Sequence, residues 1–61
     1  MSKEKLRAAR LKQGLTQLQV AQRANITVAN YQRIEYGQQQ PKVDTAKLIA
    51  KALSSTVNEL F

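Results

Sequence analysis

Apolar residues recur at helical spacing along the chain, and capping and turn residues divide them into five short segments. The first segment runs to about Gln13, with Ser2 as its N-terminal cap, and Gly14 takes the position of a C-terminal cap. Its predicted apolar side consists of Leu6, Ala9 and Leu11. No run of alternating β-branched residues predicts a strand. The pattern therefore predicts an all-α fold of five short helices.

A threonine opens both the second and the third segment. Thr16 and Gln19 have the spacing of a capping box, and Thr27 takes the cap position of a third helix predicted over 28–36. Between the two helices the chain turns at Asn25, a residue that tolerates left-handed backbone. The second-helix residues expected to face inward are Val20, Ala21 and Ala24. This arrangement predicts a helix-turn-helix, whose second helix is sized for a DNA major groove about 12 Å wide.

The last two segments follow a loop that contains the single proline. The fourth helix is predicted to begin at Asp44, and the Ser-Ser-Thr run at 54–56 ends it. Its predicted apolar stripe consists of Leu48, Ile49, Ala52 and Leu53. Residues 57–60 form one last turn that ends in Phe61. We expect one domain over residues 1–61, because a chain of this length has room for no second core.

Composition limits the chemistry available to the chain. It contains no Cys and no His, so we expect no enzymatic activity, no metal site and no cofactor. Ten Lys and Arg against four Asp and Glu give a formal charge of +6, which makes nucleic acid the first partner to consider. No apolar run reaches the roughly 18 residues of a membrane span, and the start is not a signal peptide. We therefore expect a cytoplasmic protein that lies close to DNA.

The stretch from residue 16 to residue 37 resembles the phage-repressor class of proteins, the XRE or Cro/cI family. The residues that carry the resemblance are Thr16, Gln17, Val20, Ala21, Ala24, Thr27, Ile34, Glu35, Gly37 and Pro41. The tail, at 48–53 and 57–61, is similar to the closing helices of the same domain. The resemblance implies the compact five-helix, lambda-repressor-like fold. It also implies a bacterial or phage transcriptional regulator, most often a repressor, that binds double-stranded DNA at the nucleoid.

The outer face of the third helix carries the residues expected to contact DNA bases. Arg33 suits a bidentate contact to guanine, and Gln32 can reach an adenine or a phosphate. Val28 and Ala29 are short and apolar, which suits thymine methyl groups. An ordinary solvated helix face is the alternative, but an outward Val-Ala pair at a helix start disfavours it. The principal predicted DNA-contacting residues are Gln17, Thr27, Val28, Ala29, Asn30, Gln32, Arg33, Gln38 and Lys42, and the neighbouring Gln39 and Gln40 are further candidates for the DNA backbone.

Two residues near the ends of the motif have more than one possible role. Gln17 begins the second helix, where its amide and the helix N-terminus can both meet a phosphate. The resemblance implies that Gln17 also braces the recognition helix. Thr27 caps the third helix, and whether its hydroxyl also reaches phosphate stays open. The sequence departs from the family pattern at Asn25, where a Gly is usual, and at Gln38, where a Lys often faces phosphate.

Tyr31 and Glu35 are expected on the inward side of the third helix. Stacking of Tyr31 on a base is the alternative, but its helical phase favours the core. A buried carboxylate is costly unless a cation pairs with it. The resemblance implies that Arg10 of the first helix is this cation, so we assign Arg10 and Glu35 to a structural pair.

One recognition helix reads only about 4–5 base pairs, so we expect a homodimer on a palindromic operator. This dimer can be weak in solution and form firmly only on DNA. Its expected contact surface is the C-terminal end, at Val57, Leu60 and Phe61, with closure of the monomer's own core as the alternative.

A protein-binding adaptor or an antitoxin that retains the fold is the alternative function. A membrane-surface peptide is disfavoured by the caps and turns of a folded globule. A phage switch and a restriction-modification controller both fit the pattern, as repressor or as activator.

Overall fold

Five α-helices occur among residues 3–61, which are the residues that the computed structural model describes. They are α1 (Glu4–Lys12), α2 (Gln17–Arg23), α3 (Val28–Glu35), α4 (Val43–Ala52) and α5 (Val57–Leu60). The described residues contain no strand. Their Cα atoms extend over 22 × 20 × 19 Å. None of the helices in this range is long and apolar enough to cross a membrane. The predicted all-α fold of five short helices is confirmed.

Threonine hydroxyl groups cap the N-termini of α2, α3 and α5. Thr16, Thr27 and Thr56 each accept a hydrogen bond from the backbone N–H three residues ahead, at 3.1, 3.1 and 3.3 Å. At α2 the capping box is complete, because the Gln19 side chain accepts from the Thr16 N–H at 2.8 Å. The caps predicted at Thr16 and Thr27 are confirmed.

The other two helices begin without a side-chain cap. Lys3 takes the cap position of α1, and its side chain makes no capping hydrogen bond. Ser2, the cap predicted for this helix, lies outside the described residues. Lys42 takes the same position at α4, which begins at Val43, one residue before the predicted Asp44.

Each of the first four helices is followed, two positions after its last residue, by a residue with left-handed backbone. These residues, with their φ angles, are Gly14 (70°), Asn25 (59°), Gly37 (77°) and Ser54 (53°). At α2, the Asn25 N–H donates to the Gln22 carbonyl and the Ile26 N–H donates to the Ala21 carbonyl, at 3.2 and 3.0 Å. The same Schellman pattern recurs at the other three ends. The turn predicted at Asn25 is confirmed, whereas Ser54 adopts this conformation without a sequence signal that predicts it.

The core lies between α1, α2, α3 and α4, and α5 closes it. Its buried apolar side chains are Leu6, Val20, Ala21, Ala24, Tyr31, Ile34, Ile49, Ala50, Leu53 and Leu60. The predicted inward face of α2 is confirmed, because all three of its predicted members are in this set. Two alanines on that face give α3 and α4 room to pack closely against α2.

Two predicted core positions are wrong. Leu11 is 53% exposed, since it lies about 140° around α1 from the buried Leu6. Leu48 is 42% exposed, since the buried side of α4 is centred on Ile49, about 100° away. The buried residues of α4 are Ala46, Ile49 and Ala50. The inward face of α4 is therefore the side that packs against α2 and α5. The large apolar side chain of Leu48 does not by itself bring that position into the core.

The C-terminal turn divides its three apolar residues between core and surface. Leu60 is 4% exposed and belongs to the core. Val57 is half-buried and packs against the core. Phe61 is 37% exposed. Leu60 therefore closes the protein's own core, so it is not available to the C-terminal dimer surface that the sequence predicts.

Candidate nucleic-acid interface

The second and third helices are joined by a tight turn that fixes the direction of α3. Asn25 ends α2 with its left-handed backbone, and Thr27 begins α3 from an extended conformation. Between them, Ile26 is half-buried and packs against the core. Capping hydrogen bonds hold both ends of the turn, so the direction of α3 is fixed relative to the core.

The Glu35 carboxylate is the centre of a hydrogen-bond network on the inward side of α3. Its Oε1 accepts from the Arg10 Nε at 2.7 Å and from the Tyr31 hydroxyl at 3.0 Å. Its Oε2 accepts from the Gln17 Nε2 at 2.6 Å and from the Arg10 Nη2 at 3.4 Å. Arg10 also donates from Nη1 to the Leu15 carbonyl at 3.0 Å. The ion pair expected between Arg10 and Glu35 is therefore present, with Glu35 1% exposed.

Neighbouring groups determine the charge states in this network. Burial alone would raise the pKa of the Glu35 carboxyl, but the hydrogen bonds from Arg10 and two neutral side chains, together with the Arg10 charge, outweigh it and lower this pKa. Burial and the Glu35 charge raise the pKa of the Tyr31 phenol. The hydrogen bond to Glu35 raises the pKa of Arg10. At neutral pH the cluster is thus a carboxylate, a guanidinium and a neutral phenol, and it anchors α3 to α1.

Gln17, the first residue of α2, connects this network to the outer surface. Its Nε2 donates to Glu35 and, at 3.3 Å, to the Tyr36 hydroxyl. Its Oε1 accepts from the Gln32 Nε2 at 3.1 Å. These bonds brace α3, as the resemblance implies for Gln17. They also occupy the side-chain amide of Gln17 and the Nε2 of Gln32 within the protein. The backbone N–H of Gln17 and the Oε1 of Gln32 are therefore the groups left for an external partner.

The structure places the other predicted contact residues of α3 at its outer side. Ala29 and Arg33 are exposed, whereas Val28 and Asn30 are half-buried. Val28 also packs against the core, so only part of its side chain faces solvent. The Thr27 hydroxyl oxygen accepts from the Asn30 N–H at 3.1 Å, which leaves the hydroxyl proton available to an external acceptor.

The loop after α3 gives Gln39, expected only as one of several candidates for the DNA backbone, a bridging role that sequence reasoning missed. The Gln39 Oε1 accepts from the Arg33 Nε at 2.9 Å, and the Gln39 Nε2 donates to the Asn30 Oδ1 at 2.6 Å. Asn30 and Arg33 are three residues apart on one face of α3, so a single side chain spans both. In the sequence, Gln39 is the middle member of a run of three glutamines at 38–40, and nothing there distinguishes it from its neighbours.

Gln38, Gln40 and Lys42, the other predicted contacts to the DNA backbone in this loop, are all exposed. The Gln38 N–H donates to the Arg33 carbonyl at 2.8 Å and closes the end of α3. Lys42 stands before α4 and lines, with Asn30 and Gln39, a groove of about 240 Å³ between α3 and the loop. The loop therefore lies directly beside the outer face of α3.

The exposed charges on the helix-turn-helix are all positive. Arg23 and Arg33 are exposed, and Glu35, the only acidic residue between positions 16 and 37, is buried against Arg10. The other acidic residues, Glu4, Asp44 and Glu59, belong to α1, α4 and α5. Exposed guanidinium groups beside side-chain amides, without an exposed carboxylate, suit a polyanion such as DNA.

A family model described as helix-turn-helix, of the XRE type, matches residues 6–60. The chain belongs to the XRE-type helix-turn-helix family. The match begins at the buried Leu6 of α1 and ends at the buried Leu60 of α5, so it includes most of α1 and all of the other four helices of this helix-turn-helix protein. The resemblance seen in the sequence is confirmed.

The helix-turn-helix protein is similar to the crystal structure of the restriction-modification controller protein C.AhdI from Aeromonas hydrophila. The two agree with a TM-score of 0.88 and 28% sequence identity, over 95% of this chain and 88% of that chain. A search of curated protein sequences gives no significant match. Family membership and structural similarity together support a DNA-binding transcription regulator.

Proposed function

We propose that this helix-turn-helix protein is a transcriptional repressor that reads a specific double-stranded sequence with α3, its recognition helix, in the major groove. The observation that carries the proposal is the outer face of α3, where Ala29 and Arg33 are exposed next to Asn30 and no carboxylate interrupts the surface. The inner face of the same helix is anchored through the buried Glu35. A rigid element thus presents side chains that suit base edges.

In the proposed complex, the base contacts come from the N-terminal and outer part of the recognition helix. The two Nη groups of Arg33 donate to the O6 and N7 atoms of a guanine. Asn30 lies beside Arg33 and contacts a neighbouring base. Val28 and Ala29 pack against thymine methyl groups, with Ala29 the more exposed of the two.

A second set of residues contacts phosphates and positions the helix without reading sequence. It comprises the Thr27 hydroxyl, the backbone N–H of Gln17, and the exposed Gln38 and Lys42 side chains. Gln32, bonded to Gln17, lies between the two sets and offers its Oε1 as an acceptor. These contacts flank α3 at both ends, as expected for a helix held in register on a duplex.

The proposed active form is a homodimer on a palindromic operator. One recognition helix reads about 4–5 base pairs, and two copies related by a two-fold axis place their helices about 34 Å apart, one turn of DNA. The exposed Phe61 and its neighbour Val57 are the proposed contact, without the buried Leu60. The similarity to C.AhdI suggests control of a restriction-modification system as the biological setting, in the cytoplasm.

Selection of duplexes from a random library by the full chain tests sequence-specific binding. We expect a two-fold symmetric consensus, with both half-sites protected in a footprint. Equal recovery of all duplexes contradicts sequence-specific reading, and protection of one half-site at every concentration contradicts the dimer. Failure to retain any duplex favours the protein-binding adaptor.

A transcription assay separates repression from activation. The selected site is placed across a promoter, and the helix-turn-helix protein should lower the transcript level in proportion to site occupancy. Arg33→Ala, a substitution at an exposed position of α3, serves as the control and should restore transcription. A rise in transcript on addition of the protein contradicts the repressor assignment.

A further inference from the structure

The Arg33–Gln39–Asn30 chain of hydrogen bonds has a fixed direction. A guanidinium group only donates, so the Gln39 atom 2.9 Å from the Arg33 Nε is its acceptor oxygen. The amide nitrogen of Gln39 must then face Asn30, at 2.6 Å from the Asn30 Oδ1. Arg33 therefore determines the orientation of both amides, and Asn30 keeps its Nδ2 group, a donor, as its free end.

We propose that Gln39 is a positioning residue that makes Asn30 and Arg33 readers of hydrogen-bond acceptors on base edges. The inference rests on the proposed function, because it names the base preference of the same interface. Bidentate reading of adenine by Asn needs its Oδ1 to accept from N6 while its Nδ2 donates to N7. The Oδ1 of Asn30 is turned toward Gln39, which removes the bidentate contact to adenine. Asn30 therefore reads bases with its Nδ2 donor and selects guanine O6 and N7 or thymine O4, with adenine N7 as a single and weaker acceptor.

The same bond restricts the way in which Arg33 approaches a base. Its Nε is engaged by Gln39, so the Nη1 and Nη2 groups remain for a bidentate contact to guanine. Gln39 also holds two flexible side chains in place before DNA arrives, which lowers the conformational entropy lost on binding. The interface thus favours base edges rich in acceptors and discriminates most strongly against cytosine, which presents only the N4 donor in the major groove.

The path of the loop gives this role to Gln39 and not to the glutamines beside it. Gly37 reverses the chain with its φ of 77°, and Pro41 restricts the backbone at the other end. Gln39 and Gln40 both line the resulting groove, but only Gln39 is half-buried and hydrogen-bonds Arg33 and Asn30, whereas Gln38 and Gln40 are exposed. Gln40 is therefore a matched control one residue away.

Two substitutions at Gln39 test the proposal with opposite expectations. Gln39→Met keeps a similar volume and removes both hydrogen bonds. Gln39→Glu offers two acceptors, so Arg33 keeps its partner while Asn30 must turn its Nδ2 inward and its Oδ1 outward. The readout is the base preference from library selection, at the position whose preference is lost in Asn30→Ala.

In the unsubstituted chain we expect guanine or thymine to be preferred at this position by about tenfold over cytosine, with adenine between them because it accepts only through N7. Gln39→Met should reduce the preference to about twofold, and Gln39→Glu should reverse it toward adenine or cytosine. Gln40→Met should keep the original preference. A residue that only stabilised the loop would change affinity in all sequences and leave the base preference unaltered.

The outcomes separate this proposal from the proposed function. If the unsubstituted chain selects a consensus and both Gln39 variants select the same one, the positioning role is overturned and sequence-specific binding stands. If the unsubstituted chain shows no preference, the proposed function fails first, and the positioning role fails with it. A nuclear magnetic resonance measurement covers variants that do not fold: the Arg33 Nε–H of the unsubstituted protein should exchange more slowly with water than that of the exposed Arg23. Equal exchange rates overturn the proposal.

Discussion

The Arg10 Nε lies 2.7 Å from the Glu35 Oε1, and this ion pair joins α1 to the inner face of α3. The two partners differ in their access to water, because the Glu35 side chain is 1% exposed and that of Arg10 is 11% exposed. Gln17 and Tyr31 satisfy the carboxylate from other directions. A charge buried in this way is tolerated only with all its partners in place. The orientation of α3 therefore depends on the integrity of the whole network.

Removal of either charge should destabilise the fold, and the two losses should be unequal. Arg10→Ala strands a carboxylate that has no route to water, for which we expect a loss of about 3–5 kcal/mol in the free energy of unfolding. Glu35→Ala should cost less, because the Arg10 guanidinium can turn toward solvent. Urea unfolding of both variants measures the difference. Arg7→Ala, on the exposed side of α1, is the control, and an Arg10→Ala midpoint equal to that of the control contradicts a buried pair.

The lowered pKa of Glu35 predicts a loss of stability in acid. A carboxyl whose pKa is lower in the folded protein than in the unfolded chain stabilises the fold above its unfolded pKa. This contribution begins to disappear below the ordinary value of 4.5 and is lost as the pH falls through the folded-state pKa. Glu35→Gln cannot titrate, so its stability should approach that of the unsubstituted protein from about pH 6 to about pH 3. A constant difference between the two across this range contradicts the prediction.

Local signals made the helices predictable, whereas contacts between distant segments did not. The caps at Thr16 and Thr27 and the turn at Asn25 act within a few residues, so the sequence places them correctly. Leu48 was misassigned because the inward side of α4 depends on the positions of other helices. The bridge from Gln39 to Arg33 and Asn30 was missed for the same reason, since it depends on a loop that returns to α3.

Ser54 is held in a strained backbone conformation that a glycine would relieve. Its φ of 53° costs an L-residue on the order of 1–2 kcal/mol, part of which glycine loses again through its greater freedom in the unfolded chain. We expect Ser54→Gly to stabilise the protein by up to about 1 kcal/mol and to raise its Tm by about 4–8 °C. Ser55→Gly is the control. Ser55 has no positive φ, so the same change at this position should lower the stability of the protein. An unchanged or lowered Tm for Ser54→Gly contradicts the strain.

Base contacts and phosphate contacts should respond differently to substitution and to salt. If each subunit neutralises about 4 phosphates, the slope of log K against log salt for a dimer should be near −7. Lys42→Ala removes one phosphate contact per subunit, so it should weaken all duplexes alike and make the slope shallower by about 1 for each lost contact.

Arg33→Ala should act on sequence preference, because the guanidinium donates to a base edge in the proposed complex. We expect a loss of about 1–3 kcal/mol on the selected operator, with relaxed choice at one base pair of each half-site and a much smaller loss on unrelated DNA. Binding of both variants to a panel of single-base operator changes, at two salt concentrations, provides the comparison. Arg33 carries charge as Lys42 does, so net charge alone predicts the same loss pattern for both. If the two patterns coincide across the panel, Arg33 contacts the backbone, and the base-reading role assigned to the outer face of α3 is wrong.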